Sequence, residues 1–184
     1  PLNIRGKNNK IILGGLYNFT KNDRKRTDWI LKTAEILKKK NKNILLYMFG
    51  AGKNPNLSII DKYISNPIIT EKNKLYNEID TWLAPTESEG LHIPPQEMML
   101  TEGCIVGTNA KMSGTQDYLE NYKTGLISDN NLVNFIEKVY EVISDKELRI
   151  KLGIEGRMKI IELGDREINM KRMLDFFEKS IKTN

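Results

Sequence analysis

Residues 81–108 read TWLAPTESEGLHIPPQEMMLTEGCIVGT, and this stretch decides the fold class. Two short apolar segments, residues 81–84 and 104–107, predict buried strands. Between them, Pro94 or Pro95 predicts the start of a helix, because proline is favoured in the first helical turn. The stretch therefore predicts a strand–loop–helix–strand unit, which is the building block of a parallel α/β sheet.

The loop of this unit carries the most informative polar residues. Glu89 and Gly90 precede the predicted helix, and Glu97 is expected in its first turn. N–H groups and the dipole at a helix N-terminus attract phosphate, and carboxylates accept hydrogen bonds from sugar hydroxyls. The unit therefore suits an anionic ligand that also bears hydroxyl groups. For Glu97 the alternative is a structural role, because an acid in the first turn stabilises the helix dipole.

Strand-like and helical patterns alternate over the first 127 residues. The predicted strands cover residues 11–13, 44–49, 67–69, 81–84, 104–107 and 125–127. The predicted helices cover residues 27–40, 57–64, 72–79, 95–102 and 114–120. The strands are short and continuously apolar, as strands covered by helices on both faces are. The predicted fold class is α/β, with a Rossmann-like parallel sheet of about six strands and helices on both faces.

A helical C-terminal tail is predicted to follow the sheet. Three consecutive helices cover residues 131–144, 145–163 and 165–182. Asp129, Ser144 and Asp165 are candidate N-terminal caps, and Gly164 is a candidate stop. Residues 1–184 are therefore expected to form one domain, with residues 129–184 as its helical tail.

Composition indicates a globular protein with a moderate preference for anionic partners. The 184 residues are 39% hydrophobic and 29% charged, with a net charge of +5. The longest apolar runs, such as residues 44–49, are far too short to span a bilayer. The single cysteine, Cys104, excludes an internal disulfide. The chain starts without Met, which favours a piece of a longer protein.

Glycines and cations follow the first two predicted strands, at the edge where an open parallel sheet binds its ligands. Gly14 and Gly15 follow the first strand, and Gly50 follows the second. Before the first helix stands a run of three cations, Arg24, Lys25 and Arg26. This position is unfavourable for cations unless an anion is nearby, because the helix N-terminus already carries positive charge. A diphosphate clamp is the favoured interpretation, and a solvated surface cluster is the alternative.

Several classes of function are excluded or weakened. His92 is the only histidine, and no serine–acid pairing suits a catalytic triad with it. No Cys/His set has metal-ligand spacing and no Asp-x-Asp pair is present, so no metal is expected. Aromatic residues are not interleaved with basic residues, which weakens a nucleic-acid-binding interpretation.

The motifs together resemble the C-terminal, donor-binding domain of retaining GT-B glycosyltransferases of group 1 (family 4). That family carries two glutamates separated by seven residues in the run Pro-Ser-x-x-Glu-Gly-Phe-Gly-Leu-Pro-x-x-Glu-Ala, which residues 85–97 follow in register. Its later motifs Gly-x-Pro-Val-Val, Gly-Gly-x-x-Glu and Asn/Asp-Gly-x-x-Gly-Leu resemble residues 103–108, 113–117 and 122–126. Looser matches lie upstream, at residues 13–15, 25–28 and 49–52.

The resemblance implies two catalytic residues. Lys25 would neutralise the leaving diphosphate, on which negative charge grows as the glycosidic bond breaks. Glu89 would bind hydroxyls of the transferred sugar. Further donor-binding residues are implied at Gly14, Gly15, Arg24, Arg26, Gly50, Gly90, Leu91, His92, Ile93 and Glu97.

Within that donor-binding set, Glu97 would accept hydrogen bonds from the ribose hydroxyls. The N–H groups of Gly90, Leu91 and His92 would face the sugar or the diphosphate, and the backbone of residues 68–70 would face the base.

The sequence departs from the family pattern at several site positions. Gly15 replaces an arginine at the end of the first strand, so Arg24 or Arg26 would have to supply that phosphate contact. His92 replaces the second glycine of the glutamate motif, and packing or a sugar contact is favoured for it over catalysis. Asp117 stands for a usual glutamate. These changes bear on donor identity rather than on the fold.

The resemblance also implies the setting of the whole protein. A nucleotide-diphosphate sugar such as a UDP- or GDP-sugar would be the donor substrate, with no cofactor and no metal. A preceding acceptor-binding domain would be missing from this chain, so the isolated chain is expected to bind donor weakly and to be nearly inactive. The location implied is cytoplasmic, including peripheral association with the inner face of a membrane. A non-catalytic nucleotide- or phosphosugar-binding module on the same fold is the alternative.

Overall fold

The structure is a computed structural model that describes residues 1, 2, 5, 9–18 and 23–182. Within these residues, six strands are followed by three consecutive helices, and a helix separates three of the five pairs of consecutive strands. The strands are β1 (Ile11–Leu16), β2 (Ile44–Gly50), β3 (Lys62–Ser65), β4 (Thr81–Ala84), β5 (Cys104–Thr108) and β6 (Leu126–Ser128). The helices are α1 (Thr27–Lys40), α2 (Ile69–Glu78), α3 (Ile93–Leu100), α4 (Leu132–Ser144), α5 (Lys146–Leu163) and α6 (Arg166–Lys182).

The strands form one parallel sheet in the order β3-β2-β1-β4-β5-β6. β1 pairs with β2 along its whole length, from Ile11 opposite Ile44 to Leu16 opposite Phe49. On its other side it pairs with β4 over a shorter register. The strand order reverses between β1 and β4, so the carboxyl ends of these two strands flank the crevice in which open α/β sheets bind ligands. The predicted fold class is confirmed.

Apolar side chains fill both faces of the sheet, which explains why the strands are continuously apolar in sequence. One core contains Leu13, Leu46, Leu83 and Val106 of the sheet, Ile30 and Ala34 of α1, Phe135 and Val139 of α4, and Leu152 of α5. The other contains Phe49, Trp82 and Ile105 of the sheet, Leu75 and Tyr76 of α2, Met98 and Met99 of α3, and Ile160 of α5. Helices thus cover the sheet from both sides.

The third strand and the short helix before it were predicted wrongly. A strand was expected at residues 67–69 and a helix at residues 57–64, whereas β3 occupies Lys62–Ser65. β3 lies at the sheet edge and its side chains are partly exposed, so it lacks the continuous apolar pattern that identified the other strands. Asn66, with φ of 45°, ends the strand, and the following residues lead into α2.

The prediction of a helix at residues 114–120 is also wrong. Gly114 adopts a left-handed φ of 69°, and the chain then makes only a single turn. In that turn the amide N–H groups of Tyr118 and Leu119 both donate to the Thr115 carbonyl, at 3.2 and 2.8 Å. In contrast, the predictions of α1 at residues 27–40 and of β4 at residues 81–84 are confirmed.

The three C-terminal helices differ in how they join the domain. α4 and α5 bury apolar side chains in the core, whereas residues 166–181 of α6 are exposed. Gly164 ends α5 as predicted, and the Asp165 carboxylate accepts from the Ile168 amide at 3.0 Å. The caps of α4 and α5 are Asn131 and Asp145 rather than the predicted Asp129 and Ser144. None of the helices in the described part of the chain has the length and apolar content of a bilayer-spanning helix.

Candidate functional site

Two loops meet at the crevice between β1 and β4. The loop after β1 leads into α1, and residues 85–92 connect β4 to α3. The Glu87 amide donates to the Arg24 carbonyl at 2.8 Å, so the two loops are joined through their backbones. The sheet topology therefore brings together the basic run and the glutamate motif, which are about sixty residues apart in sequence.

Lys25 and Glu89 form an ion pair across this crevice. The Lys25 ammonium lies 3.1 Å from Glu89 Oε1, and the two side chains are 26% and 20% exposed. Both predicted catalytic residues therefore lie at one point, each supplied by a different loop. The sequence predicted that an anion lies near the basic run at the start of α1. In this structure the carboxylate of Glu89 is that anion.

Arg26 is held by the protein instead of projecting freely into the crevice. Its guanidinium donates to the Asn130 side chain and, at 3.5 Å, to the Pro85 carbonyl. It also lies 3.6 Å from Glu87 and stacks over the ring of Trp29 at 4.3 Å. These contacts join the loops after β1, β4 and β6, and they leave Arg26 less suited to a phosphate than predicted. Arg24 is exposed, and none of the described residues accepts a hydrogen bond or forms an ion pair with its side chain.

Glu97 forms a second polar cluster, with α2. The Lys72 ammonium contacts both carboxylate oxygens of Glu97, at 2.7 and 3.0 Å. The Tyr76 hydroxyl donates to Glu97 Oε2 at 2.8 Å. Burial, followed by this hydrogen bond to Glu97, raises the pKa of Tyr76, so the hydroxyl stays protonated and acts as a donor. α3 begins at Ile93, so Glu97 lies beyond the first turn where it was predicted, and its helix-dipole role is correspondingly weaker.

Three of the predicted residues thus take part in two ion pairs. Lys25 pairs with Glu89, and Glu97 pairs with Lys72, which was not predicted. Both pairs lie where helices begin after parallel strands, at the carboxyl edge of the sheet. A cavity of about 340 Å³ at the ends of β1 and β2 is lined by Lys72 and by Gly50. A second cavity, of about 360 Å³ between α2 and α3, is lined by Lys72, Glu97 and Ile69.

His92 is a buried neutral residue immediately before α3. It is 6% exposed, and its Nε2 lies 3.2 Å from the Thr86 hydroxyl. Burial lowers its pKa to about 4, and the positive charge of Lys25 adds to that effect against the opposing effect of Glu89. The backbone of His92 is left-handed, with φ of 47°, a conformation that glycine adopts without strain. Its carbonyl accepts from the Tyr118 hydroxyl at 3.2 Å. Burial of the side chain fits packing, one of the two roles favoured from the sequence, and a sugar contact stays a prediction.

The loop that carries Glu89 packs against the backbone of residues 112–115. The Glu89 amide donates to the Met112 carbonyl at 2.7 Å. A Cβ at Gly114 would lie 2.1 Å from the Gly90 carbonyl oxygen, so only glycine permits this approach. A Cβ added at Gly90 would meet no atom within 4 Å, and the neighbouring Leu91 is 61% exposed.

The predicted glycines after strands have packing roles in the structure. Gly14 and Gly15 were expected to follow the first strand, but they lie inside β1, where added Cβ atoms would meet Ile79 and Ile30 at 2.5 and 2.9 Å. They let α1 and the α2–β4 connection approach the sheet closely. At Gly50 a Cβ would lie 2.3 Å from the Tyr17 carbonyl oxygen. Of the three, Gly50 also lines a cavity at the sheet edge.

Sequence reasoning missed Lys72, Tyr76 and Thr86. Lys72 precedes Glu97 by 25 residues, and no local pattern marks it. Ile93, which was included in the predicted set, is 54% exposed at the start of α3. Among the described residues, no three His, Cys, Asp or Glu side chains are grouped as metal ligands would be.

Comparison with known proteins establishes the family. The model of the family described as Glycosyl transferases group 1 matches residues 10–145. That match covers most of the chain and includes both glutamates, the basic run and all six strands. The chain belongs to this family.

Two curated relatives of the chain come from Staphylococcus aureus. A poly(ribitol-phosphate) alpha-N-acetylglucosaminyltransferase of strain COL is 24% identical over 162 residues, covering 83% of this chain and 33% of its own length. A capsular polysaccharide biosynthesis glycosyltransferase, CapM, is 31% identical over 109 residues, which are 59% of this chain and 27% of CapM. The chain therefore spans about a third of the length of the curated relatives it matches.

The solved structure of TarM shares the fold of this chain. Its crystal structure superposes with a TM-score of 0.77 at 21% identity, covering 91% of this chain and 35% of TarM. A glycine-to-arginine mutant of S. aureus TarM, in complex with fondaparinux, alpha-GlcNAc-glycerol and UDP, gives a TM-score of 0.75 at 22% identity over the same fractions of both chains. The chain thus shares with TarM a Rossmann-like fold, a six-stranded parallel sheet with helices on both faces.

Proposed function

We propose that this chain is the donor-binding half of a retaining family 4 glycosyltransferase. It binds a nucleotide-diphosphate sugar, and the whole protein transfers the hexose-type sugar to an acceptor in polysaccharide or glycoconjugate biosynthesis. The observation that carries the proposal is the Lys25–Glu89 pair at the point where the strand order reverses. The family match supports the reaction class.

The pair has the two charges that a sugar–diphosphate linkage requires. Lys25 Nζ has three donors and Glu89 has a second oxygen, Oε2, so each can serve a ligand while the 3.1 Å contact persists. Lys25 would donate to a diphosphate oxygen, and Glu89 would accept from a sugar hydroxyl. When the bond between the sugar and the phosphate oxygen breaks, its electron pair stays on that oxygen. Lys25 and the exposed Arg24 would stabilise the growing negative charge.

The donor is proposed to be a UDP- or GDP-sugar, bound without a metal. The UDP in the TarM complex and the alpha-N-acetylglucosaminyl product in the name of the first relative favour a UDP-linked sugar and an α-linked product. Cations of the chain take the place of a metal in this proposal. Glu97 would bind the ribose, and Gly90, Leu91 and His92 would face the sugar or the diphosphate.

The whole protein is proposed to contain a preceding acceptor-binding domain, which fits the length of the relatives. We further propose that it is cytoplasmic and associates with the inner face of a membrane, for which the net charge of +5 gives support.

The test is turnover by the full-length enzyme with Lys25→Ala and Glu89→Ala. Each substitution is expected to lower kcat by about 10²- to 10³-fold, because each removes a group that acts on the developing charge or holds the sugar. Lys32→Ala and Glu35→Ala are matched controls, since these residues form an exposed ion pair on α1 at 2.9 Å. Unchanged turnover in both site variants would contradict the proposal. Donor binding without any turnover by the unmodified full-length enzyme would favour the non-catalytic module.

A second test uses the 184-residue chain alone. It is expected to bind a UDP- or GDP-sugar weakly in a titration and to transfer little or no sugar. Full transferase activity of this chain would refute the need for a separate acceptor-binding domain.

A further inference from the structure

Lys72 is a half-buried cation at the sheet edge for which the sequence assigned no role. It lines two cavities, one at the ends of β1 and β2 and one between α2 and α3. It contacts both oxygens of Glu97, and the two side chains are 27% and 32% exposed. Each member of the pair is therefore partly accessible to a ligand.

Tyr76 fixes the position of this pair. The residue is 3% exposed, and its ring packs edge-on against Phe49 at 5.8 Å and Trp82 at 5.4 Å. Because the ring is held by two aromatic neighbours, its hydroxyl gives Glu97 Oε2 a fixed donor. The Glu97 carboxylate cannot rotate freely, so its oxygens face defined directions.

The remaining hydrogen-bonding capacity of the pair can be counted. A carboxylate has about four acceptor positions, and three are used here, two by Lys72 and one by Tyr76. The position left belongs to Oε1. An ammonium has three N–H groups, and among the described residues the two oxygens of Glu97 are the only acceptors of Lys72 Nζ. One N–H donor and one acceptor position therefore remain next to each other.

We propose that Lys72 and Glu97 together bind the vicinal diol of the nucleotide ribose, so that Lys72 is a specificity-determining residue for ribonucleotide donors. One ribose hydroxyl donates to Glu97 Oε1, and its neighbour accepts from the Lys72 ammonium. A single carboxylate can only accept, whereas this pair satisfies a donor and an acceptor on adjacent carbons. The inference rests on the proposed function, because it requires a nucleotide in the crevice.

The experiment is a binding titration of the chain with UDP or GDP, whichever binds more tightly, and with its 2′-deoxy and 3′-deoxy analogues. The unmodified chain is expected to bind the ribonucleotide about tenfold more tightly than either analogue, since each lost hydroxyl leaves a charged partner without its hydrogen bond. In Lys72→Met, affinity for the ribonucleotide should fall about tenfold. The preference over the analogue that lacks the Lys72-bound hydroxyl should fall to about twofold or less, while the preference over the other analogue persists.

Two further variants separate ribose recognition from a structural role. Lys74→Met makes the same charge change on an exposed residue of α2 and should leave all three affinities unchanged. Lys72→Arg should restore part of the lost preference, because it restores the cation and its donors.

The outcomes are distinct. If the unmodified chain binds no nucleoside diphosphate, the proposed function fails and the inference falls with it. If the chain binds the ribonucleotide but Lys72→Met keeps the full preference over both analogues, only the role of Lys72 is overturned. Equal binding of ribo- and deoxynucleotides by the unmodified chain would also overturn it alone.

Discussion

Gly114→Ala should disturb the loop that carries Glu89 without changing any of the side chains that we propose to bind the donor. Gly114 has a left-handed φ of 69°, and a Cβ on this residue would point at the backbone of the loop that carries Glu89. A Cβ there would lie 2.1 Å from the Gly90 carbonyl oxygen and 3.1 Å from that of Glu89. Since both neighbours are backbone atoms, they cannot move aside by rotating a side chain.

The size of the effect follows from these distances. Ordinary contact begins at 3.4 Å, so the Gly90 carbonyl has to move by more than 1 Å. A left-handed backbone costs alanine about 1–2 kcal/mol, and the displaced loop adds a similar amount, giving about 2–4 kcal/mol in the free energy of unfolding. A misplacement of about 1 Å at a catalytic residue lowers turnover by about a hundredfold.

Two measurements check this reasoning. Thermal unfolding of the chain should show a melting temperature lower by about 5–10 °C, the shift expected for such a loss in a domain of this size. Turnover by the full-length enzyme should fall about a hundredfold, although none of the proposed donor contacts is removed. Gly52→Ala is the control for backbone strain alone, because Gly52 has φ of 130° but no atom within 4 Å of the added Cβ. It should destabilise the chain and leave the Glu89 loop in place.

The result that would refute this reasoning is a Gly114→Ala enzyme with unchanged melting temperature and turnover. Such a result would mean that the loop carrying Glu89 is not held by its contact with residue 114. A lower melting temperature with full turnover would show that the loop position is not critical for catalysis.

Two further predictions concern stability. Burial lowers the pKa of His92 from 6.5 to about 4, so between these pH values only the unfolded chain takes up this proton. The contribution of neutral His92 to stability should therefore be fully present above pH 6.5. The free energy of unfolding should fall by up to about 3 kcal/mol as the pH drops to about 4. Urea unfolding should show this loss in the unmodified chain and a smaller one in His92→Asn, and identical pH profiles would contradict it. Arg5→Met should destabilise the chain by about 3–5 kcal/mol, because Arg5 donates to the carbonyls of Tyr76, Ile79 and Thr101 at the ends of α2 and α3. Chemical denaturation would measure this change, and a loss below about 1 kcal/mol would show that water replaces these hydrogen bonds.

The sequence predicted elements whose signals are local. The apolar runs of β2, β4 and β5 and the periodic pattern of α1 are visible in short windows, because burial between two helical layers requires continuous apolar strands. β3 was missed because an edge strand is only partly buried. The single turn at Thr115 was taken for a helix, because helical periodicity does not show that Gly114 adopts a left-handed conformation.

The candidate site was predictable as a set of residues but not as a set of pairs. The glutamate motif and the basic run could be read directly, and the sheet topology brings Lys25 to Glu89. Which cation meets which carboxylate depends on the packing of helices far apart in sequence. Arg26 is therefore held by Asn130 and Trp29, and Glu97 is paired with Lys72, a residue that no motif marks.

By itself the sequence determined the fold class, the family motifs and the residue types available for the site. These depend on periodicity and spacing, which are properties of neighbouring residues. Only the tertiary structure decided that Gly14 and Gly15 serve packing, that His92 is buried and neutral, and that Lys72 completes the cluster around Glu97. The physical reason is that burial and ion pairing depend on distances through space, which parallel crossovers set between residues remote along the chain.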